Sequence, residues 1–367
     1  MSYYIIPKIN NIINVIPQKC NNIPDPELSY SLDKYYKELS KEINNFLKDV
    51  DKDASYDEFI KIVNPYEYIF SKVPGSKFSV SKLKPQSNLF YDFLEISITL
   101  NIFEQYKNIS IKTLHITYNN NDSIECFEML RENYGDEIMC YDELNDNTIK
   151  LINDNIFDFL FFEANFTDSN SYIISLINYI MVILRNQNTG GTCIIKIDNI
   201  FYKPVLDILY LLSSLYERIY ILKPNSSNIT TFDKYIICKN FQLNNESDSR
   251  YLKLNYYRLL IFLKKLENKY IKSILDYNIP YYFITKIEDI NIIIGQQQID
   301  SLELILNILK NKNKEEKIEI IKKSNIQKAV LWCEKYKIPF NKFAEKTNIF
   351  LPITKEVKII TNENIDC

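Results

Sequence analysis

Between Asn64 and Phe241 short runs of apolar residues alternate with longer stretches whose apolar positions recur at helical spacing. The spacing predicts helices over Leu89–Tyr106, Asp122–Asn133, Tyr172–Arg185 and Tyr202–Glu217. Between them it predicts strands over Ile111–Thr117, Glu137–Tyr141, Phe157–Phe162, Thr192–Ile197, Ile219–Leu222 and Lys234–Asn240. Strands that are apolar throughout and separated by helices belong to a parallel sheet covered on both faces. The last two strands are joined by a polar loop with no helix, so they should pair antiparallel. The fold class is α/β, with a mostly parallel sheet ending in an antiparallel strand.

Outside that span the pattern changes. Residues 1–60 are polar and Asn-rich, with a helical stretch near Leu28–Val50, and read as an N-terminal arm. Residues 61–245 form the α/β domain, and 246–367 form a mostly helical C-terminal region. The Lys-rich stretch Lys310–Lys323 reads as a solvated helix face.

Composition narrows the chemistry. Hydrophobic residues make up 46% and charged residues 25% of the 367, a globular balance. A net charge of −3 provides no global basic field, so any RNA contact would come from a local patch. The seven cysteines form no CxxC pair and His115 is the sole histidine, which argues against a metal site and for reduced thiols in a cytoplasmic setting. The start of the chain lacks the charge pattern of a signal peptide, and no apolar run is long enough to span a membrane.

Four segments carry a resemblance. They are Asn64–Ile96, with NPYEYIFS and PQSNLFYDFLEI; Thr113–Asp122, TLHITYNNND; Phe157–Phe166, FDFLFFEANF; and GGTCIIKI at Gly190–Ile197, followed by LYERIYILKPNSSNITTFDKYIICKNF at Leu215–Phe241. In this order they resemble the FtsJ/RrmJ-like ribose 2′-O-methyltransferases, including members from large cytoplasmic DNA viruses. The resemblance covers about half the chain. It implies a Rossmann-like methyltransferase sheet and S-adenosylmethionine (AdoMet) as the cofactor if the protein is active.

The family's cofactor turn is rich in glycine, which lets the main chain approach the ligand and aim amides at its carboxylate. Here the turn is Tyr118, Asn119, Asn120, Asn121 and Asp122, and none of the five glycines lies in it. Three Asn side chains would crowd the cofactor, and Asp122 would set a negative charge beside its carboxylate. The family's catalytic tetrad is Lys-Asp-Lys-Glu, in which a lysine of depressed pKa helps deprotonate the ribose hydroxyl. Position by position, the resemblance places Asp92 at the first Lys, Glu163 at the Asp, Lys196 at the second Lys and Asp233 at the Glu. Only Lys196 is unchanged, and Asp92 reverses the charge. The family's Ser-Ser-Arg loop ends here in Asn228.

The expectation is a non-catalytic relative with no cofactor, acting as a stimulatory or scaffold subunit beside a capping or transcription enzyme. That is similar in kind to the small subunit of the poxvirus mRNA capping enzyme. The alternatives are an active cap ribose 2′-O-methyltransferase using Lys196, Glu163 and Asp233, and a structural or virion-packaged protein. Lys72, Lys77, Lys82 and Lys84, clustered with Phe78 and Tyr91, form a candidate patch for RNA or a protein partner, although a solvated loop has the same composition. His115 and Trp332 read as packed core residues, and Lys223-Pro224 as a strand end and turn.

Overall fold

The computed structural model describes residues 3–11, 13–49, 56–118, 121–164, 168–242, 246–310 and 315–341. A short strand, β1 (Tyr3–Ile6), and a second, β2 (Gln18–Cys20), precede the helices α1 (Tyr30–Asp49) and α2 (Tyr56–Val63). The α/β unit then runs α3 (Leu89–Thr99), β3 (Lys112–Ile116), α4 (Asp122–Arg131), β4 (Glu137–Tyr141), α5 (Asp146–Ile152) and β5 (Phe157–Glu163). It continues with α6 (Ser169–Asn186), β6 (Gln187–Ile197), α7 (Lys203–Leu215), β7 (Tyr216–Leu222) and β8 (Lys234–Phe241). After it come α8 (Glu246–Lys264), β9 (Tyr270–Ser273), α9 (Tyr281–Lys310) and α10 (Glu315–Lys335).

The main sheet has the order β1-β7-β8-β6-β5-β3-β4. Strands β4, β3, β5 and β6 are parallel, while β8 pairs antiparallel with both β6 and β7. This mixed sheet flanked by helices is the Rossmann-like methyltransferase layout that the alternating pattern predicts. The period-2 geometry of the strands divides the apolar residues between the two faces. Leu160, Phe162, Cys193 and Ile195 point into one core with α6, α7 and α8. Phe159, Phe161, Ile194 and Tyr235 point into the other with α3, α4 and Trp332 of α10. Both faces are covered, so the central strands carry no alternation for water to enforce.

Several elements differ from the sequence pattern, three of them with a clear structural cause. The helix predicted to reach Tyr106 ends at Thr99, where Asn101 adopts a left-handed conformation (φ 48°) and the chain turns before a short 3-10 segment, Glu104–Tyr106. Strand β6 begins at Gln187, so Gly190 and Gly191 lie within a strand and not in a free turn. The register with β5 shifts opposite them, between Phe157 and Phe159. The third difference is β1, which extends the sheet by pairing antiparallel with β7, Tyr3 opposite Leu222. Polar neighbours hid this strand, but Ile6, Ile9, Ile13 and Val15 behind it are all buried in the main core. A separate two-stranded ladder joins β2 to β9.

Candidate functional site

In an open α/β sheet, ligands lie beyond the carboxyl ends of the strands where the chain order reverses. Here that point falls between β3 and β5, since the chain leaves β3 for β4 on one side and returns to β5 on the other. A cavity of about 440 Å³ opens there, lined by Tyr118, Asp142, Glu143, Leu144, Glu163, Ser171, Ser175, Asn178 and Tyr179. Of the predicted cofactor turn, Tyr118 lines this cavity, and Asn119 and Asn120 lie outside the described residues. Asn121 precedes α4, and its carbonyl accepts from the amides of Ile124 and Glu125, both at 2.9 Å. Asp122 is fully buried and turned away from the cavity: its carboxylate accepts from the amides of Gln86 (2.8 Å) and Ser87 (2.5 Å) and from the Ser87 hydroxyl (2.6 Å). Its charge therefore ties the loop before α3 to the first turn of α4.

The four tetrad positions converge beside the cavity. Glu163 and Lys196 are register partners on β5 and β6, and the Lys196 ammonium donates to Glu163 Oε1 at 2.9 Å. Burial acts to lower the Lys196 pKa, but the carboxylates of Glu163, Asp233 and Asp92 outweigh it and push the ammonium above its ordinary value. Asp92, on α3, is buried and accepts from the Ser226 hydroxyl at 2.6 Å and the Tyr235 hydroxyl at 3.0 Å. Its removal from water raises its pKa to about 7, against the opposing pull of those hydrogen bonds and of Lys196.

Asp233 has a different partner. Lys223 donates to its Oδ1 at 3.0 Å and to the carbonyls of Thr231 and Asp233 at 2.8 Å each, while Ser227 donates to Oδ2 at 3.0 Å. Burial opposes ionisation of Asp233, yet the Lys223 and Lys196 ammoniums prevail and hold the carboxyl well below its ordinary range. Asn228 spends its side-chain oxygen within the same loop, accepting from the amide and hydroxyl of Thr230 at 2.9 Å each. Gln298 of α9 holds that loop from outside, donating to the Thr230 carbonyl at 2.9 Å.

Sequence reasoning missed several members of this network. Glu95 is fully buried and accepts from the Trp332 indole (3.1 Å), the Ser226 amide (3.2 Å) and the Tyr336 hydroxyl (3.4 Å). Its spacing of three residues from Asp92 puts both acids on one helix face, a signal that was available. Lys223 looked like a strand end and is one, but its ammonium also neutralises Asp233. Lys234 is buried, donates to the Asp198 carbonyl at 3.1 Å, and is lowered to about 7 by burial. His115 packs among Phe93, Phe127, Phe159 and Phe161, and burial lowers its pKa to about 3, so it is neutral. Trp332 is buried against Tyr91 and Tyr336.

The lysine patch is gathered in space. Lys72, Lys77, Lys82 and Lys84 line one cavity together with Phe78. Tyr91 is not part of it, being fully buried with its hydroxyl donated to the Leu83 carbonyl at 3.2 Å. Among the described residues, no group of three or more His, Cys, Asp or Glu side chains could hold a metal ion, and no helix is long and apolar enough to cross a membrane.

No protein-family model matches the chain. Among curated proteins, a cap-specific mRNA (nucleoside-2'-O-)-methyltransferase 1 of Leishmania braziliensis is 25% identical over 131 residues, covering 35% of this chain and 32% of that protein. The uncharacterized protein R383 of Acanthamoeba polyphaga mimivirus is 27% identical over 146 residues, covering 40% and 38%. The chain thus spans about a third of the length of these curated relatives. Among solved structures, Haemonchus contortus phosphoethanolamine N-methyltransferase 2 in complex with S-adenosyl-L-methionine aligns over 42% of this chain and 39% of its own, with 14% identity and a TM-score of 0.26. The sheet order is that of a Rossmann-like methyltransferase fold, and the sequence alignments relate the chain distantly to a cap-specific mRNA methyltransferase and to a viral protein.

Proposed function

We propose that this protein is a non-catalytic methyltransferase-fold subunit that stimulates or scaffolds an RNA-modifying enzyme, with viral mRNA capping as the setting. The observation that carries this reading is Asp92. An acid stands where the resemblance calls for a lysine, and it is buried and held by Ser226 and Tyr235. A ribose methyltransferase of this kind needs a lysine that surrenders its proton near neutral pH. Lys196 is driven the other way by three surrounding carboxylates. An ammonium held in this manner positions its neighbours and does not accept a proton.

One observation favours a second reading, an active AdoMet-dependent cap ribose 2′-O-methyltransferase working through Lys196, Glu163 and Asp233. The switch-point cavity is open and acid-rich, and Asp142 and Glu143 follow β4, where a carboxylate can accept from ribose hydroxyls. AdoMet would supply a methyl group on a cationic sulfonium, which the acids there suit. The fit is partial, because among the described residues no basic side chain lines the cavity to meet the cofactor's carboxylate. Isothermal titration with AdoMet and with its demethylated product separates the two readings. The proposal expects no heat at millimolar ligand, and micromolar binding of either compound would overturn it.

A further inference from the structure

Lys72, Lys77, Lys82 and Lys84 surround a cavity of about 440 Å³ whose other lining residues are Phe70, Phe78, Ser79, Ser81 and Asn341. Among the described residues no acid lines it, and none of the four lysines makes an ion pair. In a chain of net charge −3 this is a concentrated positive site. A merely solvated loop would leave such lysines free to diverge. Here the backbone fixes them. The amide of Val73 bonds the Phe78 carbonyl at 2.9 Å, closing a tight turn that includes Gly75 at φ 77°. Val80 donates to the Tyr68 carbonyl at 2.8 Å, and Ser81 forms a β-bridge with Phe340. On the other wall the amide of Lys82 reaches Pro339 and that of Asn341 reaches Val80, both at 2.9 Å. The turn presents Phe78 to water beside the four lysines, with 57% of its surface exposed.

We propose that this groove is a binding site for single-stranded RNA, with phosphates on the four lysines and a base stacked on Phe78. Cations that track a backbone beside an exposed ring are the physical requirements for gripping a single strand without reading its sequence. An acidic peptide would satisfy the lysines but give Phe78 no particular role. The groove shares no lining residue with the switch-point cavity, so the site stands whether or not that cavity binds a cofactor.

The test is fluorescence anisotropy of the full-length protein with a short labelled oligouridylate over a salt series. Single-stranded contacts contribute a slope of about −0.7 per phosphate in log affinity against log salt, so four lysines predict about −2.8. Affinity should then fall about 50-fold between about 50 and 200 mM salt. Each single Lys→Gln change should flatten the slope by about 0.7, and the quadruple variant should abolish it. Phe78→Ala should weaken binding about 5- to 150-fold with the slope unchanged. The five side chains are exposed, so melting temperatures should match the parent and exclude misfolding. Unaltered affinity and slope in the quadruple variant would overturn the proposal. So would an indifferent Phe78→Ala combined with equal competition by oligoglutamate, which would assign the groove to an acidic peptide.

Discussion

Replacing Asp92 with Asn tests the electrostatics of the site directly. The two side chains have nearly the same shape, and the Ser226 and Tyr235 hydroxyls can each donate or accept, so both contacts survive the change. What disappears is the titration. Burial lifts the Asp92 carboxyl from 3.8 to about 7, so between those values the folded protein holds a proton that the unfolded chain has released. Folding takes up that proton, and stability therefore falls as pH rises. The contribution is fully present below the unfolded pKa and is lost as pH passes through the folded one. A shift of about three units at about 1.4 kcal/mol each is on the order of 4 kcal/mol. Lys196 and Asp233 face the same carboxyl and keep their charge across this window, since one is raised above and the other lowered below its ordinary value. Urea unfolding of parent and Asp92→Asn at about pH 5 and about pH 8 provides the readout. The advantage of the variant over the parent should grow by about 2–3 kcal/mol between about pH 5 and about pH 8, from about 2 to about 4 kcal/mol. A stability difference that is the same at both pH values would refute the account of Asp92 as a buried, half-neutral acid.

Two further changes probe packing around the site. At Gly191 an added methyl would meet the carbonyl oxygens of Asn188 at 2.8 Å and Asp158 at 2.9 Å, besides the Gln187 side chain, so Gly191→Ala should destabilise by about 2–3 kcal/mol in thermal unfolding. Unchanged melting would show that β6 can shift away from β5 at its register break. Trp332→Phe keeps a ring but removes the indole donor from buried Glu95, and should lose about 2 kcal/mol in chemical denaturation. A loss below about 0.5 kcal/mol would mean that Glu95 is satisfied by Ser226 and Tyr336 alone.

The central sheet was legible because its strands are long apolar runs, and an apolar run buried on both faces has few alternatives. β5, FDFLFFE, is the clearest example, with five residues of seven fully covered. β1 was not legible: four residues beside a polar, Asn-rich stretch give no period, and only tertiary pairing with β7 makes them a strand. At the site, the convergence of Asp92, Glu163, Lys196 and Asp233 followed from the resemblance, since each sits at a strand end or on the preceding helix. The roles of their neighbours did not follow. Nothing in a Lys-Pro dipeptide indicates that its ammonium will fold back across the loop to Asp233, and no spacing rule links Glu95 to Trp332 across more than two hundred residues. Asp122 shows the same limit, because the sequence places an acid near a cofactor turn but not the direction in which it faces.

The charges within this cluster explain how an acid can replace a lysine at Asp92 without unfolding the site. Lys196 and Lys223 face Glu163 and Asp233 in two direct ion pairs. With both pairs ionised these four groups sum to zero, and an ionised Asp92 would add a negative charge in a buried place that already holds Glu95. The protein answers by keeping Asp92 protonated over much of the pH range below neutrality and by surrounding it with two hydroxyls that serve either protonation state. Lys196 and Lys223 are each committed to a carboxylate, and freeing either would strand an acid. Lys234 stands apart from this balance, since it donates to the Asp198 carbonyl and burial lowers it to about 7. Asp92→Lys, the charge the resemblance calls for, would place a third cation against Lys196 and, by repulsion, lower its pKa. Asp92 adds to the larger effects of Glu163 and Asp233 on Lys196, so a lysine at 92 should weaken the hold on that ammonium while the Glu163 ion pair keeps most of it.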